Sequence, residues 1–309
     1  GSQFFILLSA AAGLYIVAIK EQQENRMTAT FHTRRIERLV RGVDTADGAG
    51  VKLKRVLTQD LQRRLDPFLM LDEFRSDNPG DYIAGFPPHP HRGFETVTYM
   101  LAGRMRHRDS AGNEGLLGPG GVQWMTAGRG VIHSEMPEQE EGLMHGFQLW
   151  INLPAARKMI PAAYQDIPAA NIPLLHLETG IEVKVIAGEY AGQPGSIQQP
   201  DTEPLYLDVH LPAGQSLDVA IPAGHNAFVY LYQGSLLAPV TQQVLAAGHM
   251  AILSAAGDGV TLHSEEGARV LVLAGKPLQE SIAQYGPFVM NTRAELEQAF
   301  DDYQQGRLA

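Results

Sequence analysis

The chain has 309 residues, with 34 acidic and 24 basic side chains, a net charge of −10, 44% apolar content and no cysteine. The missing thiols exclude a disulfide scaffold, a thiolate metal site and a cysteine nucleophile, and the acidic balance argues against a broad phosphate-tracking surface. Gly 32 and Pro 19 make up about one residue in six, which suits many short strands better than long helices.

The first segment, Phe4 to Ile19, is a largely apolar run of 16 residues between Gln3 and Lys20. As a helix it spans roughly 24 Å, short of the ~30 Å hydrocarbon core, and no basic stretch precedes it as in a secretory signal. Residues 1–26 are therefore read as an extension upstream of a native start at Met27, the alternative being a cropped membrane anchor. From Thr28 onward, short alternating apolar runs are punctuated by Gly, Pro, Asn and Asp. Val51–Val56, Glu182–Ile186 and Leu205–Leu211 show the period-two pattern of half-buried strands. A Pro-rich passage from Pro154 to Pro173, with Pro161 and Pro168 inside it, predicts a linker at 161–174, between a first domain at 27–160 and a second at 175–309. The best helical signal comes last: Thr292 and Glu295 form a capping box ahead of Leu296, Ala299, Phe300 and Tyr303.

The two halves repeat one another. Gly93 to Gly103 aligns without gaps on Gly224 to Gly234, an offset of 131. Ala127–Val131 matches Ala256–Val260 at 129, and His133-Ser134-Glu135 matches His263-Ser264-Glu265 at 130. Three matches in the same order at nearly one offset predict a duplicated β-unit.

Five of the eleven histidines (89, 91, 107, 133, 145) fall within 57 residues. His89 and His91 are two apart, so on a strand both point to one face, about 6.6 Å apart along the chain. His133 and Glu135 repeat that spacing after a Gly-rich turn. An H-x-H pair alone is usually two exposed polar residues on a strand. Two such pairs facing each other in one barrel present three nitrogens and one carboxylate, a set that suits a first-row divalent metal with open positions for water, substrate or dioxygen. His107, between Arg106 and Arg108, reads as a solvated strand or hairpin position. His145 reads either as a residue behind the ligands or as a core histidine, and His32, His176, His210 and His249 read as structural. In the second copy the positions matching His89 and His91 are Ala220 and Pro222, so the metal site is expected in the N-terminal half alone.

The stretch His89-Pro90-His91-Arg92-Gly93-Phe94-Glu95 with Gly85 and Gly103 resembles the first cupin motif, and Gly121 through His133 resembles the second. The closer resemblance is to the pirin family of bicupins. It is carried by Pro67–Asp72, Pro88–Leu101, Gln123–Pro137, His145–Pro154 and Gly286–Thr292, dense in the N-terminal half and sparse between Pro154 and Gly286. It implies an all-β protein of two cupin (jelly-roll) β-barrel domains with a short C-terminal helix. It also implies one metal ion in the first barrel, Fe(II) above all, held by His89, His91, His133 and Glu135. Mn, Co, Ni, Cu and Zn also fit such nitrogen and oxygen donors. Arg92, Glu95, His145, Gln148 and Trp150 are expected around those ligands.

Bacterial pirins resemble quercetin 2,3-dioxygenases, which implies a flavonol substrate opened with O2 and release of CO, Glu135 serving as the base. The alternative function is a redox-responsive coregulator that binds a protein partner, and a metal-dependent isomerase or hydrolase on other cyclic substrates also fits. On either main reading the expected location is the cytoplasm, without direct nucleic-acid or membrane contact.

Overall fold

The structure is a computed structural model that describes residues 30–309; the reading of residues 1–26 lies outside the described residues. It is an all-β protein of two jelly-roll domains, and among the described residues it has one α-helix, Arg293–Gln304. No helix among the described residues is long and apolar enough to cross a membrane. Expected strands form as Val51–Leu57, Glu182–Ala187 and Leu205–Leu211. The helix starts at the capping box, where the Thr292 hydroxyl accepts from the Glu295 backbone N–H at 3.2 Å.

In the N-terminal domain a seven-stranded antiparallel sheet has Phe94–Ala102 flanked by Val122–Thr126 and Met144–Asn152. In the C-terminal domain Asn226–Leu237 is flanked in the same way by His249–Leu253 and Ala268–Gly275 within an eight-stranded sheet. The internal repeat is thus a repeat of strand topology. One face of each large sheet meets the other in a shared apolar core, where Val97, Phe147, Leu149 and Ile151 pack with Tyr206, Phe228, Tyr230 and Leu271. The other face of the seven-stranded sheet looks toward a four-stranded sheet of Phe86–His91, Val131–Pro137, Met105–Asp109 and Glu114–Leu117. The candidate ligands lie on that small sheet.

The chain crosses between domains more than the sequence suggests. Ile36–Arg41, placed in the first domain by sequence, pairs with His249–Leu253 and forms an edge of the eight-stranded sheet. Residues 161–174, expected as a linker, carry the strand Ala163–Ile167, which pairs with Val122–Thr126. The reason is local: Pro161 and Pro168 bracket an extended run, and an edge position tolerates neighbouring prolines. At the far end, the hairpin of Ala283–Tyr285 and Phe288–Met290 returns to the N-terminal barrel, where Phe288 bridges Arg92.

Candidate metal centre

His89 and His91 share the strand Phe86–His91, and the neighbouring strand places His133 directly opposite His89 and Val131 opposite His91. A register shift follows between His133 and Glu135, so that Glu135 faces Phe86. This register brings one nitrogen from each of His89, His91 and His133 within 4.8 Å of one another. The rings pack edge to face at centroid separations of 4.4 Å (His89–His133), 4.7 Å (His89–His91) and 5.0 Å (His91–His133).

His91 and His133 are buried, and His91 Nδ1 and His133 Nε2 have no hydrogen-bond partner. Burial, assisted by the neighbouring imidazoles, holds both rings well below the ordinary histidine value, which keeps them neutral. His89 Nδ1 lies 2.8 Å from the Pro87 carbonyl, a contact that places its proton there and leaves Nε2 as the lone-pair atom. Three converging imidazoles, two of them with unpartnered buried nitrogens, are a donor set that a divalent cation satisfies.

Glu135 is buried beside this group without belonging to it: Oε2 is 4.0 Å from His133 Nε2, and Oε1 is 3.1 Å from the Thr98 hydroxyl on the opposing sheet. The same hydroxyl is 2.6 Å from Gln148 Oε1. With one proton, Thr98 serves the carboxylate when Gln148 turns its amide nitrogen toward it. Gln148 and Trp150 line the cavity from one face of Met144–Asn152, and the Trp150 ring packs against that of His91 with centroids 5.5 Å apart.

The other residues expected around the ligands lie elsewhere. Glu95 is buried but points away from the histidines, bonded to Thr126 at 2.7 Å and to Gln199 of the C-terminal domain at 2.9 Å. Its neighbour Phe94 touches His91 instead, because alternate strand residues take opposite faces. His145 likewise lies on the inter-domain face, its Nε2 2.8 Å from Glu73. Arg92 braces the barrel from outside the cavity, bonded to the Arg129 carbonyl and to Asp302 of the C-terminal helix at 2.9 Å. His107, expected in solvent, is buried, with Nδ1 3.3 Å from His133 Nδ1. The alternation Met105-Arg106-His107-Arg108-Asp109 held the signal: flanking charges that face outward turn the residue between them inward.

His89, His91 and Glu135 line a cavity of about 800 Å³, within the roughly 300–1,000 Å³ of small-molecule sites. Arg55 lines one side, forked onto the buried Asp72 at 2.9 and 2.7 Å and bonded to Asp47. Gln284, Gly286 and Pro287 of the C-terminal hairpin line another, and Gln284 meets Gln62 at 2.6 Å. A hairpin of the second domain therefore helps wall a cavity whose histidines come from the first half of the chain.

Comparison with known proteins agrees with this arrangement. Residues 50–151 match the Pirin family model and residues 206–309 match the model of the pirin C-terminal cupin domain. A Pseudomonas aeruginosa protein named "Putative quercetin 2,3-dioxygenase" is 58% identical over 87% of this chain and 95% of its own. Human "Pirin" is 40% identical over 85% of this chain and 90% of its own. The solved structure of "Quercetin 2,3-dioxygenase" from Acinetobacter baumannii superposes with a TM-score of 0.84 at 37% identity, covering 90% of this chain and 99% of that one.

Proposed function

The chain belongs to the pirin family, and from that premise we propose that it is a metal-dependent flavonol dioxygenase that opens the central ring of a quercetin-like substrate with O2 and releases CO. The observation that carries the proposal is the convergence of His89, His91 and His133, with Glu135 beside them, at a cavity of small-molecule size. These four residues would hold the ion, with Fe(II) as the proposed native metal. When bound there, a divalent metal supplies Lewis acidity toward a flavonol oxygen and a centre able to exchange electrons with dioxygen.

The chain's own groups supply the rest. The cavity's apolar residues, Leu53, Leu57, Leu69 and Met70, with Trp150, take the flat aromatic body and exclude water. Glu135 accepts the proton of the flavonol 3-hydroxyl, and Thr98 holds the carboxylate toward the cavity. Arg55 presents a guanidinium whose position is fixed by two aspartates, suited to an oxygen on the substrate's outer ring. Overall, flavonol and O2 give a depside and CO.

The test combines metal analysis with absorbance of quercetin under air and under argon. The reading expects about one divalent ion per chain and loss of the flavonol band that requires O2. His89→Ala should sharply lower both, since it removes one of the three converging imidazoles. Equal rates with and without oxygen overturn the dioxygenase proposal. A metal-loaded protein inert toward flavonols instead favours the partner-binding role.

A further inference from the structure

The strand Met105–Asp109 lies on the far side of Val131–Pro137 from His89 and His91, and its register puts His107 opposite Glu135 and Asp109 opposite His133. His107 is buried, and its ring packs on His133 with centroids 5.1 Å apart while Tyr164 packs on it at 4.8 Å. Two Nδ1 atoms face each other at 3.3 Å, so one must carry the proton and the other accept it. Outside that contact, His133 Nε2 and His107 Nε2 are both buried and unpartnered. The two tautomer pairs differ sharply. If His107 donates, His133 is protonated on Nε2 and its inward nitrogen has no lone pair for a cation. If His133 donates, its Nε2 lone pair faces His89 and His91, and the unpartnered proton falls on His107 Nε2, away from the ligand cluster.

We propose that His107 is the positioning residue of the metal centre: a neutral acceptor that fixes His133 with its proton on Nδ1 and its Nε2 free to bind metal. The inference rests on the metal-centre reading above and deepens it, because it assigns a role to a buried imidazole that reaches neither the cavity nor a substrate. Such partners fix the ring orientation and raise the basicity of a ligating histidine, and their loss weakens metal affinity about 10–100-fold.

Asn and Leu at position 107 separate this role from simple packing. Asn carries its side-chain oxygen near the place of Nδ1, whereas Leu has nearly the same shape and no acceptor. Zn(II) affinity of the purified full chain is measured by competition with a chelating dye, with thermal unfolding recorded for each protein. His107→Leu should raise the Kd about 10–100-fold while His107→Asn stays within about threefold of wild type. Leu binding Zn(II) as tightly as wild type overturns the proposal and leaves the metal centre standing. A wild type that binds no divalent ion overturns both. Should the Leu variant not fold, long-range nitrogen–proton correlation spectra of the Zn(II)-loaded wild type decide: His133 protonated at Nδ1 and His107 at Nε2 is expected, and His107 protonated at Nδ1 overturns the assignment.

Discussion

Glu135 is the residue at which shape and chemistry separate most cleanly. Glu135→Gln keeps the volume and an oxygen for Thr98 but cannot take up a proton, so flavonol turnover should fall about 10²–10⁴-fold, the usual share of a general base. Quercetin absorbance in the metal-loaded variant measures it, and undiminished turnover removes Glu135 from the proton-transfer step. His91 and His133 make a different prediction. Their folded-state values lie below the ordinary histidine value because both are buried among other imidazoles. The unfolded chain therefore binds more protons than the folded chain once pH drops below about 6.5, and stability decreases with falling pH in that window. The urea midpoint of metal-free protein should decline from pH 6.5 toward 5, and His91→Gln should flatten that slope. The ligand spacing was legible because H-x-H and H-x-E each stay within one strand. Glu95 was not, since Gly93 turns in the left-handed region at φ 94° and resets which face the next strand presents.

One buried side chain helps to fasten the C-terminal hairpin, beside the backbone bridge of Phe288 to Arg92. Lys158 Nζ donates to the Gly93 carbonyl at 2.7 Å, to Asn152 Oδ1 at 2.6 Å and to the Val289 carbonyl at 2.9 Å, using all three ammonium protons. Gly93 is where the repeat begins, and a Cβ there would lie 2.0 Å from the Val289 carbonyl oxygen, so the hairpin requires glycine at that turn. Lys158→Met fills the space and removes the three bonds, which should cost about 2–4 kcal/mol. Urea unfolding measures the loss, and protease cleavage between residues 276 and 292 should accelerate as the hairpin releases. No change in either sinks the fastening role. The sequence does show the repeat and the capped helix, because both are local patterns. It does not show that the hairpin before that helix lies on the first barrel, since the contact joins residues over 100 positions apart and depends on a lysine that reads as surface.

The same non-local logic governs how the two barrels join. Besides Glu95, two further carboxylates at this largely apolar junction are bonded from both domains, the buried Glu73 and the half-buried Asp208. Glu73 of the first domain meets His145 and the Tyr230 hydroxyl of the second, while Asp208 of the second meets Tyr99 of the first at 2.5 Å and Tyr232 at 2.7 Å. Each carboxylate is satisfied only when the sheets sit in one register, and a slip would leave buried charge without a donor. Tyr230→Phe removes one donor from Glu73 and should destabilise by about 1–3 kcal/mol, against little change for an exposed tyrosine such as Tyr303. Because Ile36–Arg41 completes the second sheet and the hairpin of Ala283–Met290 walls the first cavity, neither barrel can open without breaking edges of the other. The duplication suggests two independent folding units, whereas the crossed ends and shared core make them one. Scanning calorimetry should show a single transition whose calorimetric and van't Hoff enthalpies agree. Two resolved transitions would mean that the inter-domain core contributes too little to couple the barrels. The hairpin wall of the cavity would then rest on its local fastening, and Lys158→Met would impair flavonol binding more than it lowers the melting temperature.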